Sequence, residues 1–198
     1  MLEMWNSRYD NAEYIYGAEP NIFFKNFIDK EKPGKILLAA EGEGRNAVYA
    51  AKKDWECFAF DYSIKAREKA LLLAQKANVL INYKVQSFED LEIIPDFYDV
   101  AALLFAHIQH GFRNEVHRKV VQSIKSGGVI ILEAFSKKQI DFNSGGPKDI
   151  NMLYSTDELQ EDFQDLDIIL INEKNLYLNE GSYHVGEACV IELIARKR

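Results

Sequence analysis

The sequence predicts an α/β fold: a mostly parallel sheet between two layers of helices, closed by an antiparallel hairpin. Three observations predict it. Short apolar runs alternate strictly with helix-forming segments from residue 35 to residue 135, which is how strand–helix–strand units are built. The first run ends in a glycine-bearing turn, as a strand does when the chain turns into a helix. The last two strand-like runs, Asp167 to Leu178 and His184 to Ala195, are joined by Asn179-Glu180-Gly181-Ser182, the connection of a hairpin. At 198 residues the chain suits one domain, residues 1–198, with residues 1–30 as an N-terminal helical segment or lid.

The elements follow in order. Lys35-Ile36-Leu37-Leu38-Ala39-Ala40 is a buried strand, and Arg45 to Lys53 an alanine-rich helix. Cys57-Phe58-Ala59-Phe60 is a second strand stopping at Asp61, and Ser63 is the N-cap of a helix through Lys76 or Ala77 with Leu72, Leu73 and Lys76 on one side. Strands are expected at Leu80 to Val85 and Tyr98 to Phe105, a helix at Asn114 to Lys125, and a strand at Val129 to Phe135 after Gly127-Gly128. Residues Ser136 to Asn151, with Gly145-Gly146-Pro147, form a polar loop or insert, and Ser155-Thr156-Asp157-Glu158 is a capping box. Phe23, Phe24 and Phe27 share one face of a helix starting near Pro20-Asn21 and belong to the core.

Composition narrows the function. The formal charge of −7 and the absence of a basic patch argue against a nucleic-acid partner; Lys52-Lys53 and Arg196-Lys197-Arg198 are short and separate. No apolar run is long enough to cross a bilayer, and the start lacks a basic and apolar leader, so the chain is expected to stay in the cytoplasm. Cys57 and Cys189 sit in separate apolar runs and read as buried thiols, and no His/Asp/Cys cluster has metal-ligand spacing. The expected partner is a small molecule, and the chain is a monomer or a homodimer.

The chemistry begins at Glu41-Gly42-Glu43-Gly44-Arg45-Asn46-Ala47. Glycines after a buried strand let a ligand approach the backbone, and Asp61, about twenty residues on, stands where a carboxylate accepts the ribose hydroxyls of an adenosine. Gly42-x-Gly44-x-x-Ala47 also satisfies the dinucleotide fingerprint, so an NAD-binding oxidoreductase stays open on spacing alone. Charge favours a different ligand. Glu41 and Glu43 would repel a pyrophosphate on this turn, whereas the sulfonium and ammonium groups of S-adenosylmethionine suit carboxylates.

On these residues the chain resembles the class I S-adenosylmethionine-dependent methyltransferases, and among them the small bacterial tellurite-resistance and thiopurine methyltransferase-like enzymes. The resemblance rests on Ile36 to Asn46 as the cofactor loop, Phe60-Asp61-Tyr62-Ser63, Tyr98-Asp99-Val100, and Ser126-Gly127-Gly128-Val129-Ile130-Ile131-Leu132-Glu133. It implies a Rossmann-like three-layer sandwich around a seven-stranded sheet. It implies cofactor contacts from Glu41, Gly42, Gly44, Arg45, Asn46, Asp61, Tyr62 and Ser63, from Gln86-Ser87-Phe88 beside the adenine, and from Phe105-Ala106-His107 near the methyl group. The chain departs from that pattern at Leu38, where an acidic residue is usual, at Ala40, where a glycine is usual, and at Glu41, which is offered as the replacement carboxylate. A non-catalytic cofactor-binding protein is the further alternative, because of Leu38.

Ligands in such sheets lie beyond the carboxyl ends of the strands, so His107, Gln109, His110 and Ser136 are candidates for the acceptor side. An amine or hydroxyl acceptor calls for a base, with His107 the first choice and His110 and His184 next; a thiolate or similar soft anion calls for none. Trp5, Arg8, Tyr9 and Tyr16 fit a lid over the substrate as well as plain packing. Glu180 and His184 place a carboxylate and an imidazole close together, either at the acceptor pocket or in an exposed turn.

Overall fold

The computed structural model describes residues 2–198. A seven-stranded sheet, in the order β3-β2-β1-β4-β5-β7-β6, is built from β1 (Lys35–Ala39), β2 (Glu56–Asp61), β3 (Asn82–Val85), β4 (Tyr98–Leu104), β5 (Ile124–Phe135), β6 (Leu166–Glu180) and β7 (His184–Lys197). The first five strands are parallel, and β7 inserts antiparallel between β5 and β6. This is the mostly parallel sheet with a terminal hairpin that the sequence predicts.

Helices cover both faces. α2 (Ile22–Ile28), α3 (Arg45–Ala51) and α4 (Ile64–Lys76) pack Phe24, Phe27, Ala47, Ala50 and Ala70 against Ile36, Leu38, Ala102 and Ile131. α5 (His110–Ser123) and α6 (Thr156–Asp162) set Val116, Val120 and Leu159 against Leu37, Leu103, Ile130 and Leu132 on the other face. α1 (Leu2–Tyr9) lies outside this sandwich, against α4. Cys57 and Cys189 are buried free thiols.

Three expectations are corrected. The helix expected from Asn114 to Lys125 runs from His110 to Ser123, because the Gln109 carbonyl accepts the amides of Phe112 and Arg113 and so starts it earlier. β5 begins at Ile124 and continues through Gly127-Gly128, where the register against β4 shifts between Tyr98 and Val100; the glycines absorb that bulge inside the strand. The buried face of α4 is Ala66, Ala70 and Ala74, and Leu72 is 52% exposed. Close approach decides this face: a Cβ on Gly44 would fall 2.6 Å from the Ala70 Cβ, so only small residues fit there. The stretch expected as a loop or insert, 136–151, carries two short 3-10 turns, Lys137–Asp141 and Ile150–Met152. The Ser155–Glu158 capping box and the Ser63 N-cap both form.

Candidate active site

The chain leaves β1 through Ala40, which takes a left-handed φ of 51°, and Gly42 and Gly44 follow at 63° and 87°. The turn brings the Gly42 amide to Asp61 at the end of β2, 3.2 Å from Oδ2, while Oδ1 accepts the Ser63 amide at 2.9 Å. Asp61 is only 4% exposed, and burial raises its carboxyl to about 6. Neither glutamate of the turn faces open space. Glu41 folds back under α3, accepting the amides of Asn46 and Ala47, each at 2.8 Å, and the Asn46 side chain. It therefore does for α3 what the N-cap residue, Gly44, has no side chain to do, and burial lifts it to about 7. Glu43 is paired with Lys69 of α4 at 2.5 Å.

α1 lies over this turn. A Cβ on Gly42 would stand 2.9 Å from the Tyr9 hydroxyl, and the Tyr83 hydroxyl donates to the Gly42 carbonyl at 2.6 Å. Ser63 Oγ donates to Asn6 at 2.6 Å, and Lys65 pairs with Asp10 at 3.3 Å. Trp5 stacks on Tyr9, and the Arg8 guanidinium lies between the Trp5 ring, at 4.6 Å, and the Tyr183 ring, at 4.7 Å, while donating to the Tyr16 hydroxyl.

Beyond the ends of β4 and β5 the structure assembles a carboxylate and an imidazole. His184 Nδ1 lies 3.4 Å from Glu180 Oε2, and Arg45 Nη2 reaches the same oxygen at 2.8 Å while its Nη1 donates to the Tyr16 carbonyl at 3.0 Å. Glu180 and His184 are therefore turned inward, while Ser182 and Tyr183 between them stay exposed. Gly181 makes the approach possible, since a Cβ there would fall 2.2 Å from the Ile15 carbonyl oxygen. Burial disfavours a charge on Glu180, but His184 and Arg45 outweigh it and hold the carboxyl below its usual range. The ionised carboxylate accepts the Nδ1 proton and leaves the Nε2 lone pair bare. Burial pushes the imidazole down, so it is neutral at neutral pH.

Aromatic rings enclose that imidazole. Tyr16, Phe105 and Phe135 stand 4.6, 4.8 and 5.4 Å from it, centroid to centroid. Gly145 and Gly146 close the remaining side: a Cβ on the first would fall 2.8 Å from His184 Cδ2, and on the second 2.7 Å from Phe135 Cδ2. His107 has a different setting. Its Nδ1 is 3.3 Å from the Met152 carbonyl, its ring stacks on Phe135, and its buried Nε2 has no partner among the described residues. Burial lowers it to about 4.

Residues 36–128 match the family described as methyltransferase domain. That stretch carries a methyltransferase domain, and S-adenosylmethionine-dependent methyl transfer is the activity it supports. No curated protein is significantly similar to it. Among solved structures, a protein of echinomycin biosynthesis, tied to the conversion of a disulfide bond into a thioacetal group, superposes with a TM-score of 0.82 at 15% identity, covering 100% of this chain and 91% of that one. TehB from Haemophilus influenzae gives 0.74 at 16% identity, covering 100% and 67%. Magnesium protoporphyrin IX methyltransferase from Synechocystis, with S-adenosylmethionine bound, gives 0.70 at 16%, covering 100% and 95%. At these identities the likeness is one of fold.

The carboxylates around the turn bear on which ligand would fit there. Asp61 and Glu133 are buried carboxylates with no cation at salt-bridge distance among the described residues, which favours a ligand bearing hydroxyls and positive charge over a pyrophosphate. Of the other expected residues, some stand beside Asp61 and others lie apart. Ser63 is spent on the α4 cap and on Asn6, Ser87 bonds Asp90, Phe88 packs edge-on against Phe60, and Tyr62 is half-buried beside Asp61. His110 is exposed, 3.9 Å from Glu158. Ser136 Oγ donates to Glu173, and His117 is held by Asp162 at 2.8 Å between helices. Sequence reasoning missed Asn21, Glu133, Gly145 and Gly146. The glycine pair was visible as loop composition, whereas nothing in the spacing marks Asn21 as joining α2, α3 and β5.

Proposed function

We propose that this methyltransferase transfers the methyl group to a small cytoplasmic acceptor that gives up a proton in the reaction, with His184 as the base. The observation that carries the reading is the Arg45–Glu180–His184 chain among the rings of Tyr16, Phe105 and Phe135. S-adenosylmethionine supplies an activated methyl on a sulfonium, so the chain's own work is to bind, align and deprotonate. Gly42 lets the ligand approach the turn, Asp61 accepts its ribose hydroxyls, and Tyr62 and Phe88 flank the adenosyl end. Tyr16, Phe105 and Phe135 exclude water around the acceptor. Glu180 keeps the His184 Nε2 lone pair directed into that pocket, and Arg45 keeps Glu180 ionised. His107, whose Nδ1 is spent on a backbone carbonyl, helps to shape the wall behind Phe135.

A second reading has one observation of its own. Arg8, held between Trp5 and Tyr183, sets a cation at the rim of the pocket and suits an acceptor that arrives as an anion, such as a chalcogen oxyanion. The two readings separate in one assay: methyl transfer to a panel of small thiols, amines, hydroxyls and selenite or tellurite, with wild type, His184→Gln and Arg8→Gln. A proton-bearing acceptor predicts a loss of roughly 10²-fold in kcat for His184→Gln. An anionic acceptor predicts a raised KM for Arg8→Gln and near-normal kcat for His184→Gln. Full activity of His184→Gln on an amine or hydroxyl acceptor would remove the base from the mechanism.

A further inference from the structure

Glu133 lies at the carboxyl end of β5, opposite Leu104 of β4, and its own carbonyl accepts the amide of Phe105 at 2.7 Å. It is 2% exposed. A carboxylate so buried is ordinarily paired, because desolvation of an isolated charge costs several kcal/mol. Here the cations nearby are committed elsewhere. Arg45 is bound to Glu180 at 2.8 Å and Lys174 to Glu192 at 2.6 Å, and among the described residues no cation stands within salt-bridge distance of Glu133. The Asn21 amide donates to Oε2, and among the described residues Oε1 accepts no hydrogen bond.

Asn21 ties this carboxylate to the cofactor loop. Its backbone amide donates to Asn46 Oδ1 at 2.9 Å, and its own Oδ1 accepts the Phe24 amide at 2.9 Å as the N-cap of α2. Asn46 in turn bonds Glu41 beneath the glycine turn. The Glu133 carboxylate is thus fixed between the end of β5 and the first turn of α3, beside the place where the methionine moiety of an adenosyl cofactor would continue past the glycines. Glu41 and Glu43 are unsuited to receive its ammonium group, the first being turned onto the α3 amides and the second onto Lys69.

We propose that Glu133, positioned by Asn21, is the carboxylate that receives the α-ammonium group of the bound cofactor. The proposal rests on the reading of the glycine turn as the cofactor site and adds the residue that recognises the amino-acid end. An incoming ammonium completes a buried ion pair that the protein alone leaves half-made.

Calorimetric titration with two nucleosides tests it without any methyl acceptor. S-adenosylhomocysteine carries the ammonium group, and 5′-methylthioadenosine lacks the whole amino-acid end. Glu133→Gln keeps an acceptor for Asn21 and should weaken S-adenosylhomocysteine at least tenfold while leaving 5′-methylthioadenosine within about twofold. Glu133→Asp, which retains the charge, should recover part of the loss, and Glu192→Gln, on the neighbouring strand, should change neither ligand. Should Glu133→Gln fail to fold, Glu133→Asp carries the test, because its shortened reach should still weaken S-adenosylhomocysteine selectively. Equal loss of both nucleosides, or unchanged affinity for S-adenosylhomocysteine, overturns the proposal and leaves the cofactor reading standing. Unchanged S-adenosylhomocysteine affinity with a raised KM for an amine acceptor assigns the carboxylate to the acceptor and also overturns it. Binding of neither nucleoside to the wild type overturns both.

Discussion

His184 and Glu180 face each other across the β6–β7 turn, Nδ1 to Oε2 at 3.4 Å, with Arg45 on the same carboxylate oxygen at 2.8 Å. Burial pushes the imidazole down, and Glu180 opposes that push. Replacing Glu180 by Gln should therefore lower the His184 pKa further. On a proton-bearing acceptor, the acid limb of the pH–rate profile should move to lower pH and the plateau should fall by about tenfold, the scale of a lost orienting partner. Arg45→Lys should keep the charge but lose the two-way grip, giving a smaller fall. A variant that lost activity with no movement of the acid limb would assign Glu180 to structure alone.

A second expectation concerns stability and pH. Burial raises Glu133 from 4.5 to about 7. Between these values the folded protein holds a proton that the unfolded chain has released, so the ligand-free protein should lose stability as pH rises through that window. The cost is fully present above about pH 7 and absent below about pH 4.5. Glu133→Gln should melt higher than wild type at pH 8, by about 1–3 kcal/mol on the linkage relation, with the gap closing at pH 4.5. A constant gap across that range would show that the carboxyl does not titrate there.

Much of the fold was legible because the signals are local. The apolar runs at 35–40, 57–60 and 98–105, the glycine turn, and Asp61 about twenty residues on are short-range patterns, and the structure places each where its pattern implies. Leu72 misled because helix propensity says nothing of which face meets the sheet; the close approach of Gly44 to Ala70 decided that. Glu41 and Glu43 were visible as charges near a ligand, but their partners, the α3 amides and Lys69, are set by how the turn folds back. The Asn21–Glu133 contact spans 112 residues, and no periodicity reaches that far. Glu180 and His184 stood out as a nearby pair, yet only Gly181 packing against Ile15 shows that they face inward.

Ala40 offers a test of the loop itself. It holds a φ of 51°, a region in which a Cβ costs about 1–2 kcal/mol. Ala40→Gly should relieve that strain and raise stability by up to about 1 kcal/mol, the gain being reduced by the greater freedom of glycine in the unfolded chain. A denaturant midpoint that falls would show that the Ala40 methyl packs more favourably than the strain costs.

α1 covers Gly42 and Asp61 through Tyr9, so on the proposed placement of the cofactor that helix has to shift to admit it. Tyr9→Ala should speed the association of S-adenosylhomocysteine several-fold. In the wild type, cofactor and acceptor together should protect residues 5–16 from amide exchange more than cofactor alone. Identical association rates and unchanged exchange would make α1 a fixed wall rather than a lid.

The most direct test of the cofactor assignment is calorimetric titration of the wild type with S-adenosylhomocysteine and, separately, with NAD, repeated on Asp61→Ala. S-adenosylhomocysteine should bind in the micromolar range or tighter, and NAD should not bind. Asp61→Ala should weaken the first by roughly 1–3 kcal/mol, the scale of hydrogen bonds to a charged acceptor. NAD binding as tight as S-adenosylhomocysteine, or an Asp61→Ala variant with wild-type affinity, would contradict the placement of the cofactor on the glycine turn.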